Sequence, residues 1–411
     1  MLSVSDTEAV ILNLVQPLDA QGNTENVDLL AAAGRILATP VTSQLDFPHW
    51  DNSAMDGYAV RYEDVQHSNP EQPVVLEIVE EIPAGYQPQY TILQGQAARI
   101  FTGAIIPQGA DTVVIQEVTN RQDKQVEILS APKPQEFVRH KGEFYQAGTQ
   151  LLPSGILLTP AEIAVLAAAQ CAQVSVYRRP RVAIFSTGDE LVTLEQSLKA
   201  GQIVDSNGYA LAALVKQAGA EALMLGIVKD DPVALEKTIA YAIANADIVI
   251  SSGGVSVGDY DYVDKILESL GAEIHIRAVA MRPGKPLTVA SFSTQNSALY
   301  FGLPGNPAAV LVTFLRFVQP AIKKLSGLSA GWQVKFVNVR SHQELRSDGK
   351  RETYIWGQLQ LIDGVYEFRK AGGSHSSGNL INLAQTNALA VIPVATTLIP
   401  PGDEVLVLLT L

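Results

Sequence analysis

The 411-residue sequence contains a single cysteine, Cys171. A lone thiol excludes an intrachain disulfide and any zinc or iron–sulfur centre that needs several Cys ligands. Basic residues are also scarce: 29 Lys and Arg stand against 42 Asp and Glu, a net charge of −13. That field repels phosphate and argues against broad contact with nucleic acid or anionic lipid, while leaving room for a local basic pocket. The histidines, His49, His67, His140, His275, His342 and His375, show no metal-site spacing. Long hydrophobic runs are missing too. The most apolar stretch, Ile156 to Val176, is broken by Pro160, Glu162 and Gln170 and falls short of a membrane span. Met1 to Gln16 carries Asp6 and Glu8 but no basic residue before its apolar positions, a poor match to a signal peptide. No segment has the composition of a disordered tail, and no internal repeat is present. These absences predict a soluble protein in a reducing, cytoplasmic setting.

What is present is ample apolar residue, 47%, in a chain long enough for about two to four domains. Residues 1–45 open with an amphipathic helix whose face carries Val10, Leu14 and Val15, with Ile11 beside them. The zone 46–145 is rich in Pro and Gly with short strand-like runs such as Val74–Val79 and Thr112–Val118. A helix then starts at Pro160, with Thr159 and Glu162 forming a capping box. Residues 146–177 are expected to belong with 1–45, making 46–145 an insertion. From 178 to 328, strands alternate with helices. Strands are expected at Arg181–Ser186, Ala222–Val228, Asp247–Ser251 and Leu299–Gly302. Helices are expected near Asn207–Ala218, from Pro232, over Tyr262–Leu270 and from Ala308. Continuous apolar strands separated by helices predict a parallel sheet covered on both faces, a three-layer α/β/α domain. Residues 329–411 read as a small all-β domain with a hairpin at Asp363-Gly364.

In an open parallel sheet, ligands bind beyond the carboxyl ends of the strands. Four polar clusters fall there: Thr187-Gly188-Asp189-Glu190, Lys229-Asp230-Asp231, Ser251 to Asp259, and Leu303-Pro304-Gly305-Asn306-Pro307. In the third, the Ser251-Ser252-Gly253-Gly254 run offers a backbone nest for an anion such as a phosphate or pterin phosphate. No Gly-Lys-Ser/Thr or G-x-G-x-x-G pattern accompanies it. Glu190, Asp230, Asp231, Asp259 and Asp261 collect at the same edge, as a magnesium site beside phosphates requires. Asp231 reads equally well as a helix cap. Arg282 and Lys285, in Met281-Arg282-Pro283-Gly284-Lys285-Pro286, read as an oxyanion site or as a solvated basic turn. The polar run Asp51–Val60 and Phe101-Thr102-Gly103-Ala104 are explained as well by turn chemistry as by function.

Taken in order, Asp51–Val60, Thr102-Gly103-Ala104, Ser186–Leu191, Ser251–Asp259, Arg282–Pro286 and Leu303–Pro307 resemble the MoeA-type molybdopterin molybdenumtransferases, which include the gephyrin E domain. The resemblance runs from about residue 28 to the C-terminus. It implies an elongated four-domain homodimer. Residues 178–328 would be the molybdopterin-binding domain, 46–145 a β-rich inserted domain and 329–411 a small β-barrel. Each site would lie between the α/β domain of one subunit and the insertion of the other. It further implies binding of adenylylated molybdopterin, entry of molybdate, magnesium-dependent cleavage of the pyrophosphate link and release of AMP. On this reading Asp56, Thr102, Glu190, Asp259 and Lys285 are catalytic. Ser252, Gly253, Gly254, Ser256, Gly258, Asp230, Asp261, Pro304, Gly305 and Asn306 hold substrate. Arg282, Lys285, Arg351 and Ser374 seat molybdate, and Glu190, Asp259 and Asp231 hold magnesium. Two positions depart from the family pattern. Phe144 stands where an acid is common, and Ala278, beside Arg277, where a second lysine is common.

Other readings predict different features. A molybdopterin adenylyltransferase needs only the α/β domain, although such a partner is expected to make transient contact. A receptor scaffold has no use for the carboxylates or for Arg282 and Lys285, and a pyrophosphate hydrolase releases AMP without molybdate.

Overall fold

The computed structural model describes residues 1–254, 260–293, 297–373 and 378–410. They form two compact units, one of Met1–Thr39, Ser154–Ala164 and Ala172–Leu411, the other of Pro40–Pro153 and Val165–Cys171. Among the described residues, no helix is long and apolar enough to cross a membrane.

The larger unit is built on a six-stranded sheet. Its strands are β1 (Arg181–Thr187), β2 (Glu221–Val228), β3 (Ile248–Ser252), β4 (Ala272–Ala278), β5 (Pro286–Phe292) and β6 (Leu299–Leu303), in the order β2-β1-β3-β6-β5-β4. Four of them, β2, β1, β3 and β6, run parallel. These are the four strands expected from the sequence; β5 and β4, which no expected strand covered, are antiparallel. The reason is connection length: residues 279–285 and 293–298 are too few for the crossover of about a dozen residues that parallel neighbours require.

Apolar residues alternate between two covered faces, which is why the strands read as continuous hydrophobic runs. Val182 and Ile184 of β1 pack on one side with Leu211 and Val215 of α1 (Ser206–Gln217). Ala183 and Phe185 pack on the other with Leu235 and Ile239 of α2 (Pro232–Asn245) and Leu267 of α3 (Tyr260–Ser269). A short helix, α4 (Pro307–Thr313), follows β6.

The N-terminal helix Val4–Leu14 is capped by Ser3, whose hydroxyl accepts the Asp6 N–H at 3.0 Å. Its buried stripe runs through Val4, Thr7 and Ile11 to Val15, while Val10 and Leu14 sit at the margin. Thr24–Asp28 pairs antiparallel with Gln173–Tyr177, joining the early segment to the one that follows the β-rich zone. Glu162 accepts the Thr159 N–H at 2.9 Å, completing the capping box of helix Pro160–Ala168.

The C-terminal strands β7 (Phe336–Ser341), β8 (Glu352–Ile362), β9 (Val365–Lys370), β10 (Ala388–Ile392) and β11 (Glu404–Leu409) close into a barrel. Each has two neighbours, because β8 pairs with β10 as well as β9. Asp363 and Gly364, both at positive φ, turn β8 into β9 with Ile362 opposite Val365. Phe368, Ala390 and Val407 help to fill the interior.

In the other unit, a six-stranded sheet runs Thr112–Ile115, Gly57–Val60, Gln96–Ile100, Val74–Ile82, Gln125–Ile128, Thr119–Gln122. The strand expected over Thr112–Val118 stops at Ile115, and Gln116–Val118 forms a 3-10 turn. Tyr58, Val60, Leu76 and Val114 are among its buried residues.

Candidate active site

Parallel register sets Ser186 beside Ser252, Ser252 beside Leu303 and Thr187 beside Val228. The loops beyond β1, β2, β3 and β6 therefore leave the sheet side by side, where a parallel sheet binds ligands. They are tied to one another. Asn207, on α1, donates its amide to the Ser252 hydroxyl at 2.9 Å and to the Gly305 carbonyl at 2.7 Å. Ser252, buried, donates in turn to the Pro304 carbonyl at 3.4 Å. The Thr187 hydroxyl donates to the Asp230 carboxylate. Gly253 approaches β1 so closely that a Cβ there would lie 2.2 Å from the Thr187 carbonyl oxygen. Its N–H donates to Leu303 at 3.3 Å and so is not offered to a ligand.

These loops floor one side of a groove of about 1570 Å³, whose opposite side is the barrel. Glu190, Asp230, Gly253, Gly254, Pro304, Gly305 and Asn306 line the sheet side. Arg282 and Lys285 enter from the β4–β5 connection, and Arg351 from the segment leading into β8. Met281 and Arg282 run parallel to Glu352 and Thr353, so the cationic loop is stitched to the barrel. Arg282 meets Asp348 at 3.1 Å, and Arg351 donates to the Met281 carbonyl at 3.4 Å. Asp348 is held below the usual aspartate pKa, chiefly by the Lys350 N–H and further by Arg282.

Of the candidates named from sequence, the groove brings together Glu190, Asp230, Arg282, Lys285, Arg351, Gly253, Gly254, Pro304, Gly305 and Asn306. Asp231 is placed otherwise: its carboxylate caps α2, accepting the Ala234 N–H at 2.8 Å. Ser256, Gly258, Asp259 and Ser374 lie outside the described residues, as does the Asp261 side chain. Asp348, Arg346, Lys370 and Trp356 also line the groove. No local pattern marked them, because the barrel's closure is what carries them there. Asn207 read only as a helix start. Of the two departures, Arg277 does not substitute for the lysine missing at 278, since Asp264 and Glu268 engage it at 2.7 and 3.3 Å. Phe144 packs near Phe47, ring centroids 5.8 Å apart.

In the second unit, Thr102 donates both its N–H and its hydroxyl to Asp56 Oδ1, each at 2.7 Å. The backbone bond first, then the side-chain bond, holds Asp56 below the usual aspartate range. Two segments far apart in sequence thus form one polar unit.

Residues 2–169 match the MoeA N-terminal region (domain I and II), 183–324 a probable molybdopterin binding domain and 338–410 the MoeA C-terminal region (domain IV). A molybdopterin molybdenumtransferase of Nostoc sp. is 72% identical over 408 residues, covering 99% of this chain and 94% of that protein. The chain belongs to the MoeA family of molybdopterin molybdenumtransferases. A namesake from Haemophilus influenzae is 39% identical over 315 residues, 76% of each chain. The molybdopterin biosynthesis MoeA protein of Pyrococcus horikoshii superposes with a TM-score of 0.84 at 27% identity, covering 100% of both chains.

For a MoeA-family groove the question of a divalent metal turns on its donors. Among the described residues no three His, Cys, Asp or Glu converge as a ready metal cage. Glu190 and Asp230, carboxylates that line the groove, are hard-oxygen donors, with Asp230 Oδ1 already engaged by Thr187. Magnesium is commonly held by one or two carboxylates plus substrate phosphates and waters. The donor set fits an ion shared with substrate, not a closed structural site.

Proposed function

We propose that the groove binds adenylylated molybdopterin and molybdate, and that the chain places molybdenum on the pterin dithiolene as the pyrophosphate link is cleaved and AMP leaves. The observation that carries this reading is the opposition within one groove: carboxylates beside a glycine-rich sheet edge face a cationic loop stitched to the barrel. In a chain of net charge −13, such a local concentration of cations is the feature that suits a dianion.

Gly254 and the Pro304–Asn306 loop would cradle the substrate's phosphates and nucleotide, while Gly253 holds the loop against β1. Ser252 and Asn207 fix the spacing of the two loops. Arg282, Lys285 and Arg351 would receive the tetrahedral molybdate, Arg through its donor fork and Lys as a point charge. Ser374 belongs to the same expectation. Glu190 and Asp230 would hold magnesium, with Asp259 as a further candidate, and the ion when bound would neutralise charge on the pyrophosphate. Thr187 orients Asp230 by its hydroxyl bond. In a homodimer, Asp56 and Thr102 of one copy would serve the groove of the other, with Thr102 keeping Asp56 ionised. A transient contact with the adenylyltransferase that supplies the substrate, and a cytoplasmic location, complete the reading.

The test is AMP release from adenylylated molybdopterin with magnesium, measured with and without molybdate. Release that requires both supports the reading. Release indifferent to molybdate makes the chain a pyrophosphate hydrolase, and tight binding without turnover makes it a scaffold.

A further inference from the structure

The N-terminal segment is fastened to the cationic loop at two places. Leu2 pairs with the backbone just before Arg282: its N–H donates to the Ala278 carbonyl at 3.2 Å, and its carbonyl accepts the Ala280 N–H at 2.8 Å. From the other side, the Glu352 N–H donates to the Ala280 carbonyl at 3.2 Å. The second fastening starts at Glu8 on helix Val4–Leu14. Its carboxylate meets the Arg316 guanidinium through two contacts, of 2.7 and 2.9 Å. Arg316, buried, donates its Nε to the Tyr354 hydroxyl at 3.2 Å, and that hydroxyl donates to Glu352 Oε1 at 2.5 Å. The path closes on itself. It runs from Leu2 through Ala280 to Glu352, then through Tyr354, Arg316 and Glu8 back along the helix.

Three features set this ring apart from an ordinary ion pair. Burial opposes the charge on Arg316, and the Glu8 and Tyr354 contacts more than offset it, leaving its pKa above the usual arginine value. A buried pair seldom adds stability that an apolar pair would not, so its directional bonds bear on geometry. Arg316 also sits in a π-helical turn, Phe314–Val318, a widened turn that recurs at functional sites. Finally, the ring ends on the groove: Tyr354 lines it, and Glu352 opposes Met281, the neighbour of Arg282.

We propose that Glu8, Arg316 and Tyr354 are positioning residues that hold the Arg282–Lys285 loop at the height its oxyanion ligand needs. This rests on the reading of Arg282 and Lys285 as the molybdate seat. The ring touches no reacting atom through Glu8 or Arg316. It acts through the backbone of Ala280 and Glu352.

The experiment titrates molybdate in the AMP-release assay, using the full chain, saturating adenylylated molybdopterin and magnesium, with melting temperature recorded for each variant. Glu8→Gln and Arg316→Lys, at residues that do not line the groove, should raise the molybdate concentration at half-maximal rate several-fold while leaving the rate at saturating molybdate near that of the unmodified chain. Lys285→Ala reports on the seat itself. If Lys285→Ala raises the requirement and the other two leave it unchanged, even with a lowered melting temperature, the ring is structural only and the inference is overturned. Arg316→Lys keeps the charge but loses the Nε bond to Tyr354, and so decides the matter even if Glu8→Gln fails to fold. If Lys285→Ala changes nothing, or release never depended on molybdate, the seat is misplaced and the inference falls with it.

Discussion

Replacing Gly253 with alanine tests the fit between the end of β1 and the loop after β3. Gly253 holds φ at +91°, a conformation that costs an L-residue about 1–2 kcal/mol. The added Cβ would lie 2.2 Å from the Thr187 carbonyl oxygen, roughly 1 Å inside ordinary contact, and the obstacle is backbone that no rotamer can move aside. Overpacking of this kind costs about 1–3 kcal/mol, for a total of roughly 2–5 kcal/mol against a domain stability of about 5–15 kcal/mol. Relief requires Thr187 or the loop to shift, and Thr187 carries the hydroxyl that orients Asp230. A displacement of about 1 Å in a catalytic constellation lowers rate on the order of 100-fold. Urea unfolding followed by circular dichroism, paired with AMP release, reads both effects. An alanine variant with an unchanged unfolding midpoint and full activity would refute the close approach and the role assigned to it.

Glu190→Gln should lose AMP release while circular dichroism shows an intact fold, as should Asp259→Asn. Full activity in either removes that carboxylate from the mechanism. Lys285→Ala should chiefly raise the molybdate requirement; an unmoved titration would put the anion site elsewhere. Thr102→Val should raise the Asp56 pKa toward the ordinary value of 3.8, which carboxyl-carbon NMR can follow. The sign is fixed by the depressed folded pKa. The Thr102–Asp56 bonds stabilise the fold above the ordinary aspartate pKa, and that contribution fades as pH falls through the folded value. The stability difference between Thr102→Val and the unmodified chain should therefore shrink in acid. A difference independent of pH would assign it to packing.

Elements whose chemistry is local were legible in the sequence. Asp231-Pro232 announced a helix start, and Leu235, Ile239, Ala242 and Ile243, which helical spacing puts on one face, are the ones buried. Strands β1, β2, β3 and β6 fell within a few residues of their expected bounds; in β1, β3 and β6 burial on both faces leaves an unbroken apolar run, and the edge strand β2 is apolar though only partly buried. The antiparallel pair β4 and β5 went unassigned. Strand β4 lies at the sheet's edge and carries Glu273, His275 and Arg277 between its apolar residues, so it lacks the continuous run. The loop from Met281 to Pro286 was visible as two cations in a stiff turn. Its pairing with β8 was not, because that pairing joins residues some 70 positions apart. The same distance effect hid Lys370, Asp348 and Asn207 from the site and left Thr102 and Asp56 as separate candidates. The N-terminal helix was recognised by period, yet its buried stripe is centred on Ile11 and Thr7. Only the identity of the packing surface determines that rotation.

On the proposed function, molybdenum ends on the pterin. The most direct measurement is the molybdenum content of the pterin product, by elemental mass spectrometry, after a single turnover of adenylylated molybdopterin with magnesium and molybdate. Molybdenum should be found in the product in equal amount to the AMP released, and both should be lost with Glu190→Gln. Stoichiometric AMP beside a metal-free pterin would contradict the proposed function.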